Sequence, residues 1–115
     1  RFAIAIAAAS MMLTAVPALA HTHVRETSIT GNATLARAAA TFTVVFSAAT
    51  GLANVTLTDV AGRAVALNYT PPREMAASFA IPLPALTPGA YTIAWRTIAR
   101  DGHAMPGAVH FTISG

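Results

Sequence analysis

Several stretches of this chain place an apolar residue at every second position. "TFTVVF" puts Phe42, Val44 and Phe46 on one side and Thr41 and Thr43 on the other, and "LANVTLTD" sets Val55 and Leu57 against Thr56 and Thr58. "YTIAW" aligns Tyr91, Ile93 and Trp95, and "AVHFTI" aligns Val109, Phe111 and Ile113. Side chains alternate between faces in a strand and repeat every 3.6 residues in a helix, so these stretches bury one side only as β-sheet. "AVALNY", an opening strand near His23 to Thr27 and another around Ser78 to Leu83 bring the expected count to about seven strands. The turn signals "DVAGR", "TPPRE", "PALTPG" and "RDGHAMPG" separate them. The expected class is all-β, a small antiparallel sandwich or Greek-key barrel. Phe42, Phe46, Trp95 and Phe111 are its expected core, because half-buried strands turn their bulky groups inward. Ala-rich "NATLARAAAT" is expected to make a helical turn, too short to change the class.

A different pattern precedes the strands. "RFAIAIAAASMMLTAVPALA" runs from Arg1 through an apolar stretch to Pro17 and the small-residue triplet Ala18-Leu19-Ala20. A basic start, an apolar middle and an A-x-A exit form the secretory signal pattern. An uncleaved anchor is the competing reading, since about 20 apolar residues can span a bilayer; Pro17 and the triplet favour cleavage. Residues 1–20 are therefore read as a signal peptide and 21–115 as one exported β-domain, with no transmembrane segment after cleavage. His21 would then begin the mature chain. A free α-amine titrates near pH 8, so it can give up its proton to a metal at small cost. Amine and ring Nδ1 of one N-terminal His can chelate a single ion, and imidazole serves copper, zinc, iron and nickel.

Charge and sulfur content exclude several classes. Six arginines and four carboxylates (Glu26, Asp59, Glu74 and Asp101) follow the leader, with no basic run and no aromatic interleaving, so nucleic-acid binding has no support. The chain has no Cys. The core must therefore hold without disulfides, and a blue-copper electron-transfer site, which needs a Cys ligand, is excluded. Only Met75 and Met105 lie beyond the leader, too few for a thioether-rich Cu(I) pocket. No Ser/His/Asp grouping, phosphate loop or acid pair points to a hydrolase or nucleotide enzyme.

The polar residues that call for a role lie in "ARDGHAMPG", between the two most regular strands. Gly102 permits a backbone angle that lets Asp101 and His103 aim at one point, and loops on a rigid sheet favour binding chemistry. Alone, the motif also reads as a plain turn with a solvated His. If the first and penultimate strands end at one pole, His21 meets this loop. Amine, two imidazoles and a carboxylate then form a nitrogen-rich set suited to Cu(II). His23 has a separate claim, because a His in the third mature position can bind Cu(II) with the amine and two deprotonated amides, independently of Asp101. His110 alternates with Val109 and Phe111 and is expected on the exposed face; Met105 is expected to pack under the loop.

The cut after "ALA", the following "HTH" and above all "YTIAWRTIARDGH…G…F" resemble the periplasmic copper-resistance protein C family, CopC, over the whole mature chain. The resemblance implies a Greek-key β-barrel related to cupredoxin-like and immunoglobulin-like sandwiches. It further implies one Cu(II) ion held by His21, Asp101 and His103, and a periplasmic, monomeric, non-enzymatic carrier or buffer for copper homeostasis or resistance. A separate membrane copper-import protein of the copper-resistance D family is the implied partner. The chain departs from the family in three places. "SAATGLANVTLTDVAG" lacks the Met and His of members that bind Cu(I), "TSITGNATL" replaces the Pro and acidic residues often found after the opening strand, and Arg100 stands where a small residue is common.

Two other functions fit parts of the sequence. A histidine brace would resemble the copper site of lytic polysaccharide monooxygenases, but Asp101 would occupy coordination space that oxygen chemistry needs. A metal-free immunoglobulin-like interaction domain uses the same fold with no ion.

Overall fold

The architecture turns on a single long strand. In the computed structural model, which describes residues 22–115, the order is β1 (Val24–Thr27), β2 (Ala33–Leu35), β3 (Thr41–Asp59), β4 (Ala64–Val65), β5 (Ala76–Pro82), β6 (Gly89–Ile98) and β7 (Ala104–Ile113). The first half of β3 pairs antiparallel with β1 on one side and β5 on the other. Its second half pairs with β4 and β6, and the sheet continues through β7 to β2. Register shifts between Val45 and Thr50 and between Leu52 and Asn54 mark where β3 passes from one layer to the other. Bulges increase twist and bend a strand, which suits such a crossing.

The core lies between the two layers and comes from the alternating positions. Phe42, Val44, Phe46, Phe79 and Ile81 face Leu57, Ile93, Trp95, Val109 and Phe111, all buried. Trp95 joins the layers, its ring centroid 5.7 Å from that of Phe42 and 6.5 Å from that of Phe46. Across the β6–β7 ladder Trp95 faces Gly107. A Cβ there would lie 2.4 Å from the indole, so only glycine fits under the ring. The four expected core aromatics are all buried, and the all-β class with seven strands agrees with the sequence reading.

Individual elements differ from expectation. The described residues contain no helix, and none is long and apolar enough to cross a membrane. "NATLARAAAT", expected to make a helical turn, instead supplies β2, which runs parallel to β7. The Asn32 amide donates to the His110 carbonyl at 2.6 Å and the Ser114 amide to the Leu35 carbonyl at 2.8 Å. The open edge of β7 thus satisfies these backbone groups, and pairing with it overrides alanine's helix propensity. "TFTVVF" and "LANVTLTD" are parts of one strand rather than two. Of "AVALNY" only Ala64 and Val65 pair; the chain is irregular from there to Met75.

Candidate metal centre

The β6–β7 hairpin closes through a tight turn after the last ladder pair, Ile98 with Ala104. The Ala99 amide donates to the His103 carbonyl and the Gly102 amide to the Ala99 carbonyl, each at 2.8 Å. Gly102 has φ +93°, a conformation that side chains with a Cβ rarely adopt. This turn brings Asp101 and His103 together. The His103 amide donates to Asp101 Oδ1 at 3.0 Å, and the His103 ring approaches Asp101 Oδ2 through Nδ1 at 2.8 Å.

An ionised carboxylate only accepts hydrogen bonds, so the Nδ1 proton lies between ring and carboxylate, and in the neutral ring the lone pair is on Nε2. Hydrogen bonds from the His103 amide, and secondarily from its ring, hold the Asp101 carboxyl below the usual carboxylate range. Both side chains face solvent, His103 at 73% and Asp101 at 49% exposure. The pair therefore offers a basic ring nitrogen and an anionic oxygen at an open surface. A carboxylate behind an imidazole orients the ring and raises its basicity toward a metal.

The start of the described chain is tied to β3 on its approach to the corner that borders the turn's pole. The His23 amide donates to Ser47 Oγ at 3.0 Å, and the His23 carbonyl accepts from the Ser47 amide at 2.8 Å. From Ser47, β3 turns its corner to Gly51, which pairs with Ile98 at the foot of the Asp101 turn. His21, the third expected ligand, and the signal peptide expected over residues 1–20 lie outside the described residues. Among the described residues no three His, Asp or Glu side chains gather as a metal site. His110 is exposed as expected, its Nδ1 2.7 Å from Thr92 Oγ1. At strand rise it lies about 23 Å along the chain from His103. Met105, expected beneath the loop, is 37% exposed instead.

Two threonines that the alternation did not single out brace this pole. Thr50 and Thr97 are the buried polar residues among the described positions. Thr50 Oγ1 donates to the Ile98 carbonyl at 3.2 Å, and Thr97 Oγ1 to the Met105 carbonyl at 3.3 Å. Thr50 ties the β3 corner to the foot of the turn, and Thr97 ties the two hairpin strands. The only hint in the sequence is a polar residue beside the corner glycine.

An exposed Asp-x-His turn on a small two-layered β-domain defines a class of candidate metal-binding sandwiches. A family model described as CopC domain matches residues 24–114, and the chain belongs to that family. Among solved structures it is similar to CopC from Methylosinus trichosporium OB3b, with 19% identity over 82% of this chain and 94% of that one, at a TM-score of 0.68. It is also similar to PcoC, a copper resistance protein from Escherichia coli, with 21% identity over 80% and 99% of the two chains, at a TM-score of 0.58. At these identities the likeness establishes the fold. A comparison with curated proteins gave no significant match.

Proposed function

We propose that this chain is a periplasmic Cu(II)-binding protein for copper homeostasis or resistance, a monomeric carrier or buffer for one ion rather than an enzyme. The observation that carries the reading is the Asp101–His103 pair, hydrogen-bonded and exposed on the β6–β7 turn. Membership of the CopC family and the copper-resistance role named for PcoC support it. His21 supplies its α-amine and Nδ1, His103 a ring nitrogen and Asp101 a carboxylate oxygen, with cleavage after Ala20 creating the amine. The donors fit Cu(II), which favours nitrogen and oxygen in tetragonal sets.

The terminal tripeptide mode is disfavoured because the His23 amide, which that mode must deprotonate, already donates to Ser47. Each nitrogen must be deprotonated to bind, so affinity falls as pH drops below the imidazole range. The partner on this reading is a separate membrane copper-import protein of the copper-resistance D family.

Mass spectrometry of exported protein should find His21 as the first residue. Competitive Cu(II) titration should then show tight binding that one additional residue before His21 abolishes. Full affinity in the extended protein, or in an Asp101→Ala, His103→Ala double variant, would overturn the proposal.

A further inference from the structure

Beside the Asp-x-His turn lies a groove of about 630 Å³, walled by the β3 corner, the end of β6 and the irregular segment before β5. Its apolar surface comes from Leu52, Pro71, Pro72, Met75 and Ile98. Ile98, on the outward face of β6, is 42% exposed. Arg73 and Arg100 line the same groove, and no carboxylate does. Among the described residues the ion pair of the molecule is Asp101 with His103, so neither guanidinium makes a contact ion pair there.

Apolar surface shared with two guanidiniums that lack a contact ion pair selects an amphipathic, anionic occupant. A small inorganic anion would satisfy the charges and leave the apolar floor wet. A flat lipid surface would not enter the concavity, and a single-carboxylate amphiphile would answer one arginine only. We infer that this groove docks an extended segment of a partner polypeptide whose Asp or Glu side chains flank apolar ones. Carboxylates of such a segment pair with planar guanidiniums in two-point contacts. Arg100 immediately precedes Asp101, which sets the docked segment beside the turn.

The inference does not depend on copper and is tested without it. Metal-free 15N-labelled protein is titrated with the capped peptide Glu-Leu-Glu-Leu-Glu, with its Gln-for-Glu analogue and with octanoate, while amide shifts are followed. The acidic peptide should give saturable shifts centred on Leu52, Met75, Ile98 and Arg100. The Gln analogue should bind about tenfold more weakly, the combined worth of two exposed ion pairs. An Arg73→Gln, Arg100→Gln double variant should lose the acidic peptide by about the same factor. Ile98→Ser should weaken both peptides. All the altered side chains are exposed, and a dispersed spectrum verifies that each variant is folded. Absence of saturable shifts, equal binding of the two peptides, or octanoate binding as tightly as the acidic peptide would overturn the inference.

Discussion

Trp95 and His103 belong to one hairpin and are held in different ways. Trp95 is 5% exposed, wedged between Phe42 and Phe46 from the facing layer and seated over Gly107. His103 is largely in solvent, held by hydrogen bonds to a neighbour two positions away. Packing fixes the middle of the hairpin through many contacts that are individually weak. The turn is fixed by a few directional bonds, whose net worth in water is small. The hairpin thus supplies a rigid platform from below while leaving the donors where an ion can reach them, as binding loops on stable sheets commonly do.

Substitutions along the hairpin test this division. The largest loss should come from Trp95→Ala, which opens a cavity between the layers and should cost about 3–5 kcal/mol in urea unfolding. A midpoint close to that of the parent would mean that the indole is not the link between layers. Gly107→Ala forces a methyl into the ring and should cost about 1–3 kcal/mol. Combining it with Trp95→Phe should recover part of that loss, because the smaller ring leaves room above Gly107. Gly102→Ala strains the turn at φ +93° and should cost about 1 kcal/mol, with weaker Cu(II) binding in competitive titration. Asp101→Asn should lower the unfolding midpoint only slightly while Cu(II) affinity drops markedly, which separates the turn from the platform.

The smallest effect concerns pH. The Asp101 carboxyl lies below its ordinary range in the folded protein, so the folded state binds its proton less readily than the unfolded chain. Its contribution is fully present above the ordinary carboxylate range and fades as pH falls through the lowered value. Carbon-detected titration of His103→Ala should move the Asp101 value part of the way up, since the backbone amide bond remains when the ring is gone. An unchanged value would assign the whole depression to the amide.

The faces of β6 and β7 were legible because burial on one side of a sheet imposes strict alternation, and Trp95, Phe111 and Ile113 obey it. Asp101 and His103 were legible as a pair because a single glycine separates them. Neither signal reaches the β3 corner. A strand that changes layers breaks its own period at Thr50, whose buried hydroxyl looks like any exposed threonine in the sequence. β2 was misread because its extended form depends on the edge of β7, a neighbour remote in sequence. The groove was equally hidden, since Leu52, Arg73 and Ile98 meet only after three separate segments converge.

The uninterrupted run of β3 from Thr41 to Asp59 carries a mechanical consequence. One covalent rod serves as a central member of both sheets, so neither can peel away without dragging the other's backbone out of register. Deuterium uptake at Val44 and Leu57, on opposite sides of the bend, should therefore report a single opening event with a common protection factor.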